Sequence, residues 1–358
     1  MEICMKDTLR ALRQQKNITQ EMLANHLGIT PQSVGKWERG EGYPDITLLP
    51  AIALYFGTTI DELLGVGQLR IEETIASYEK ESLRLKNIGD NAANLALWEK
   101  AYAEFPNDCR VLCGLMCAIN REARYPCPPV QAERIIALGK RILAEYTDTE
   151  IRERAVQVLC YTYDSIGDTE NALYYAGMGG SMFTTREDLR CSVLSGEEGA
   201  EACQQYLRNL ILLADMAATS IPYKTDSTPE EYITAYRFSN ALFRLLYSDD
   251  NVGFDAHHIS RNWAKIAYHY AQLQDAENTL SALEEAVRYA LVTYNLGEIR
   301  YTAPMVNRTV HKPESSTQNY KGNACNLRLQ ELRSAVYDFV RDTPRFIQLL
   351  ATLQAHAE

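Results

Sequence analysis

Between Met5 and Gly65 the apolar residues recur three and four apart in short runs, and nearly every run is closed by a glycine or opened by a capping residue. That pattern predicts five short helices. The first spans Met5–Gln15, and the second and third follow Thr19 and Thr30. The fourth spans Asp45–Tyr55, with Leu48, Leu49, Ile52 and Phe56 inward. The last opens on the capping box Thr59-x-x-Glu62 and ends at Gly65. From about Leu69 the same period continues almost unbroken in longer segments. These pair as roughly 70–88 with 90–105, 108–124 with 129–146, 149–166 with 168–178 and 185–194 with 197–219. A helix near 229–248 follows, then 260–273 with 275–294 and a terminal pair, 324–341 with 344–356. The expected fold is all-α: a five-helix head over 1–67, with its boundary at Gly65–Gly67, and a helical-repeat domain over 68–358.

The head is organised around TQEMLANHLGITPQSVGKWERG, Thr19 to Gly40. Thr19 is a good N-cap, and Gly28 can take the left-handed conformation that ends a helix. Thr30 caps the next helix, and Pro31 sits where its missing N–H is harmless. On a wheel of 100° per residue, Gln32, Ser33, Gly35, Lys36 and Arg39 fall on one side, with Val34, Trp37 and Glu38 on the other. Such a helix packs by Val34 and Trp37 and offers amide, hydroxyl, ammonium and guanidinium groups outward, the donors that read base edges in a major groove. Glu38, on the packed side, needs a partner, and Arg13 on the first helix is placed to supply one.

Composition sharpens this picture. At 358 residues and 46% hydrophobic, the chain has core enough for about two domains. Through residue 65 there are six basic against eight acidic residues, a net of −2 out of −11 for the chain, so no polybasic surface exists and non-specific DNA affinity should be weak and salt-sensitive. Two heads on a two-fold site would compensate, so a homodimer is expected. No apolar leader follows Met1 and no uninterrupted apolar run reaches membrane-spanning length. Nine cysteines in such a chain read as reduced thiols and a cytoplasmic location, with no membrane partner.

Residues 5–65 resemble the lambda-repressor-like helix-turn-helix domains of the XRE family. The matching pieces are LRALRQQKNITQ, LANHLGIT, PQSVGKWERG, PDITLLPAIALYFG and TIDELLG. The resemblance implies double-stranded DNA as partner. Gln20 would hold a phosphate at the second helix N-terminus, and Thr30 and Pro31 would open the recognition helix. Gln32, Ser33 and Lys36 would face bases, while Arg39 and the EGYP loop with Tyr43 would lie along the backbone. Arg13 and Glu38 match the pair tying helix one to the recognition helix. Gly35 stands where relatives carry a side chain, which removes one contact.

The remainder resembles tetratricopeptide repeats, most clearly in VLCYTYDSIGDTENALYYA and NWAKIAYHYAQLQDAENTLSALEEAVRYA, where Gln274 replaces the turn glycine; ALWEKAYAEFPND is a partial copy. A DNA-reading head on such a body is similar to the RRNPP regulators. That resemblance implies a peptide or small-molecule effector in the helical domain, for which Asn240, Arg244 and Arg261 are candidate contacts. The alternative is a protein-interaction scaffold or antitoxin-like adaptor with a vestigial head.

Other clusters have plainer readings. Cys109, Cys113 and Cys117 recur every fourth residue on an apolar helix, a spacing that fits packing and matches no usual zinc signature. His257, His258 and His269 lack a ligand pattern. No phosphate loop, nucleophile elbow or catalytic carboxylate pair occurs, so neither enzymatic activity nor a cofactor is expected. Tyr301–Asn323 reads as one long irregular stretch whose Asn307, Arg308, His311, Lys312, Asn319 and Lys321 could close over a ligand.

Overall fold

The computed structural model describes residues 5–294, 296–313 and 322–357, and of 66–69 the backbone alone. The described residues fold into α-helices, short 3₁₀ turns and a single two-stranded ribbon. The chain divides into two compact units, one running to Glu81 and including Lys100–Val111, the other Ser82–Glu99 with everything from Leu112 onward.

In the first unit, α1 (Met5–Gln15), α2 (Gln20–Leu27), α3 (Pro31–Arg39), α4 (Leu49–Phe56) and α5 (Ile60–Leu63) form the head. Its core is Met5, Leu9, Leu23, Ala24, Val34, Trp37, Ile52 and Leu63. The predicted fourth helix begins as a 3₁₀ turn, Ile46–Leu48, capped by Asp45, before becoming α4. The Thr59–Glu62 capping box is formed in both directions. At Gly65 the backbone turns with φ 72° and enters α6 (Val66–Asn87) directly. Within this unit α6 is tied to Lys100–Val111 by Arg110, whose Nη1 lies 2.6 Å from Glu72, and by the Tyr78 hydroxyl, which donates to Glu104 at 2.9 Å.

Further helices follow as α7 (Asn91–Glu104), α8 (Cys109–Glu122), α9 (Pro129–Glu145), α10 (Thr149–Ser165) and α11 (Thr169–Ala176). Then come α12 (Arg186–Val193), α13 (Gly196–Ser220), α14 (Pro229–Leu246), α15 (Ala256–Gln272), α16 (Ala276–Val292), α17 (Ala324–Glu331) and α18 (Pro344–His356). α10 packs on both α9 and α11, and from α12 to α18 each helix packs on the next. The cause is local and repeated. Asp148, Asp168, Thr228, Asp275 and Thr343 each accept a backbone N–H at the start of a helix, and the turn into α11 uses Gly167 at φ 80°. The corresponding turn into α16 puts Gln274, not a glycine, at φ 57°.

Three departures from the sequence reading have physical reasons. α15 starts at Ala256, one turn early, because the 3₁₀ turn Gly253–Asp255 feeds straight into it. The predicted helix 324–341 breaks after Glu331. Ser334 there adopts an extended conformation and caps the 3₁₀ turn Ala335–Val340. Within Tyr301–Asn323, expected to be irregular throughout, the chain forms β2 (Val310–His311), which pairs antiparallel with β1 (Ile299–Arg300) just ahead of that stretch, Ile299 opposite His311. Asn319 and Lys321 lie outside the described residues.

Candidate nucleic-acid interface

The interface is built by two caps and a buried pair. Thr19 Oγ accepts from Met22 N at 3.1 Å and sets the start of α2, and Gly28 at φ 68° ends it. Thr30 Oγ accepts from Ser33 N at 3.3 Å and lies 2.9 Å from Ser33 Oγ, with Pro31 in the first turn of α3; Gly40, at φ 75°, closes that helix. This fixes the rotation of α3. Val34, Trp37 and Glu38 are buried, whereas Gln32, Lys36 and Arg39 are exposed and Ser33 is half-buried.

Glu38 is the electrostatic anchor. Arg13 Nε donates to Oε1 at 2.6 Å and Nη2 to Oε2 at 3.0 Å, a two-pronged pair, while Arg13 Nη1 donates to the Ile18 carbonyl at 2.8 Å. Burial by itself would push the Glu38 carboxyl up. Hydrogen bonds from Arg13 and Gln20 overcome that and hold it below the ordinary carboxylate range. The Gln20 amide is thus already in use, donating to Glu38 Oε2 at 2.9 Å.

Gly35 requires a correction. The wheel sets it outward with the polar residues, but it is buried. A Cβ there would lie 3.1 Å from Arg39 Nη1 and 3.4 Å from Gln20 Oε1, so these two side chains close over it. Arg39 also has a partner that sequence reasoning missed. Beyond the Gly40 turn, Glu41 accepts from its Nε at 2.8 Å and Nη2 at 2.7 Å, both side chains being largely exposed. The spacing of two residues across a left-handed glycine was the available signal. Tyr43, 56% exposed in the following loop, projects freely, while Pro44 beside it is buried.

In the helical unit the three candidate effector contacts are scattered by environment. Arg261 is engaged, its Nη2 donating to Asp215 at 2.8 and 3.0 Å. Asp215 is fully buried and also receives Ser239 Oγ at 2.5 Å and Asn262 Nδ2 at 3.1 Å, with His258 Nδ1 3.3 Å away. Asn240 follows Ser239 and is buried with both amide atoms unpartnered among the described residues, whereas Arg244 is exposed, 5.9 Å from the Trp263 ring centroid. The segment after β1 is not a free flap over its described length. Gln204 on α13 donates to Asn307 Oδ1 at 3.0 Å, Arg308 pairs with Glu197 at 2.8 Å, and His311 lies 3.1 Å from Arg208.

Residues 9–63 match the family model described as helix-turn-helix. The chain is 43% identical over 82 residues to the HTH-type transcriptional activator BcrR of Enterococcus faecalis, an alignment covering 23% of this chain and 38% of that protein. It is 37% identical over 59 residues to the HTH-type transcriptional regulator MJ0272 of Methanocaldococcus jannaschii, covering 16% of this chain and 89% of the relative. Among solved structures, Bacillus thuringiensis PlcR in complex with the peptide PapR7 and DNA aligns over 80% of this chain and 94% of its own, at 12% identity and a TM-score of 0.33. ComR from S. thermophilus, in complex with DNA and its signalling peptide ComS, aligns over 80% and 93% at 14% identity and a TM-score of 0.25. The chain belongs to the helix-turn-helix transcriptional regulators. It spans well under half the length of BcrR.

Proposed function

We propose that this chain is a sequence-specific, dimeric DNA-binding transcription regulator whose helical unit responds to a peptide or small-molecule effector. The observation that carries the DNA half is the division of α3. It buries Val34, Trp37 and the anchored Glu38 while exposing Gln32 and Lys36 on a helix whose orientation the Arg13 pair fixes. Gln32 and Lys36 supply base-edge donors. Gln20, Thr30 and Pro31 at the two helix starts, with Arg39 and Tyr43 at the far end, line the phosphates on either side. The effector half rests on the resemblance of the helical repeats, and the compartment proposed is the cytoplasm. A ligand preferring one conformation of the helical unit shifts the population of DNA-competent dimers.

Selection of bound duplexes from a random pool tests this reading. A recovered palindrome with half-sites about one helical turn apart supports it, and Gln32→Ala or Lys36→Ala then costs about 1–3 kcal/mol and relaxes preference at one position per half-site. A pool with no enriched sequence favours the adaptor with a vestigial head.

A further inference from the structure

The helical unit contains a cavity of about 450 Å³ between the start of α14, the 3₁₀ turn before it and the last turns of α15. Its wall is an aromatic box. Tyr232 stacks on His269 with ring centroids 4.3 Å apart and planes at 14°. Tyr223 stands edge-on to Tyr232 at 5.0 Å and 78°, and Tyr268 edge-on to His269 at 5.4 Å and 88°. Tyr223 is held from behind by its hydroxyl contact with the Tyr236 hydroxyl at 2.9 Å. The box is therefore braced before any ligand arrives, which lowers the ordering cost of binding.

Aromatic boxes commonly take cations, and the charge here argues against one. Lys265 lines the same cavity, is half-buried, and has no carboxylate in ion-pair reach among the described residues. The acid whose field it shares, Glu331, is already bonded to Arg328 at 3.1 Å. His269 Nδ1 faces the Gln272 side-chain oxygen at 2.8 Å, which makes that nitrogen the donor and leaves Nε2 as an acceptor. Burial holds this imidazole below its ordinary range. The lining thus combines one ammonium with no carboxylate in direct contact, phenol hydroxyls and ring faces, with no acid to receive a cation.

From this arrangement we infer that the cavity binds a small planar aromatic carboxylate, its ring between Tyr223 and Tyr268 and its carboxylate on the Lys265 ammonium. The site deepens the effector half of the function proposed above and rests on it only for a consequence at DNA. The ring would displace water from phenol faces, and the carboxylate would give a half-buried ammonium the direct ion pair it does not make with Glu331.

The test is calorimetric titration of the full chain with three probes: indole-3-acetate, its neutral amide indole-3-acetamide, and choline. Saturable binding of the acid at one per chain is expected, with the amide roughly ten-fold weaker and choline silent. Lys265→Met should weaken the acid roughly ten-fold and leave the amide unchanged. Tyr268→Ala, at a partly exposed position outside the buried core, should weaken acid and amide alike. The assignment falls if the acid does not saturate, if acid and amide bind equally, if choline binds instead, or if neither substitution matters in a chain whose melting curve is unchanged. Loss of this binding with operator selection intact removes the site alone. Failed selection with binding intact removes the DNA reading alone.

Discussion

Glu38 shows how a single residue commits the rest of the head. Its side chain is only 4% exposed and its charge is met by Arg13 at 2.6 Å, so Arg13→Ala strands a carboxylate that Gln20 alone cannot satisfy. Breaking such a pair from one side typically costs several kcal/mol; with Arg13 itself 15% exposed, a loss of about 2–3 kcal/mol is expected, read as a lower urea midpoint at unchanged slope. An unaltered midpoint would refute the pairing. Arg39 behaves differently, because its partner Glu41 lies in solvent and competes with any phosphate for the guanidinium. Glu41→Gln should therefore tighten binding roughly two- to five-fold, to operator and scrambled duplex alike. A gain confined to the operator would instead place Arg39 on a base. The Arg13–Glu38 pair was legible in the sequence, since an acid on an apolar helix face demands a counter-charge. The covering of Gly35 by Gln20 and Arg39 was not. It depends on how closely α2 crosses α3, which no wheel of one helix contains.

Helix existence and pairing were readable because period and punctuation agree: Asp168 and Asp275 cap what the apolar spacing outlines, and the expected ends fall mostly within a few residues of those observed. What escaped lies below the length at which a period can be seen. β1 and β2 are two residues each, and the break at Ser334 is one residue's backbone choice. The contacts between helices depend on small residues in the same way. A Cβ at Gly139 on α9 would lie 2.7 Å from Leu159 Cγ on α10, closer than side chains approach. Gly139→Ala should accordingly destabilise the helical unit by about 1–3 kcal/mol despite its better helix propensity, and Leu159→Ala should restore part of that loss in the double variant. If Gly139→Ala melts higher than the parent, propensity outweighs packing at this crossing.

Across the chain as a whole, the groups whose titration the fold perturbs set how acid acts on it. In the helical unit burial holds the imidazoles of His257, His269 and His311 below their ordinary range, His257 to about 4. An unfolded histidine takes its proton near 6.5, so between there and about 4 the unfolded chain binds more protons at His257 than the folded one does. Stability is then highest above the unfolded value and falls as the pH drops through that window. Glu331 has the opposite sign. Burial raises its carboxyl, so acid relieves it above the normal range and partly offsets the histidines. The head answers in a lower window, because Glu38 is depressed: its contribution holds above about 4.5 and is lost as the pH falls below. A Trp37→Phe variant leaves Trp98 and Trp263 as the indoles, both in the helical unit, and its fluorescence melts report that unit alone. Their midpoint should fall by a few degrees between pH 7 and pH 5, since His257, being partly exposed, is worth on the order of 1–2 kcal/mol. His257→Gln should flatten the trend, and a midpoint level across that range would show that these imidazoles take their protons as freely folded as unfolded.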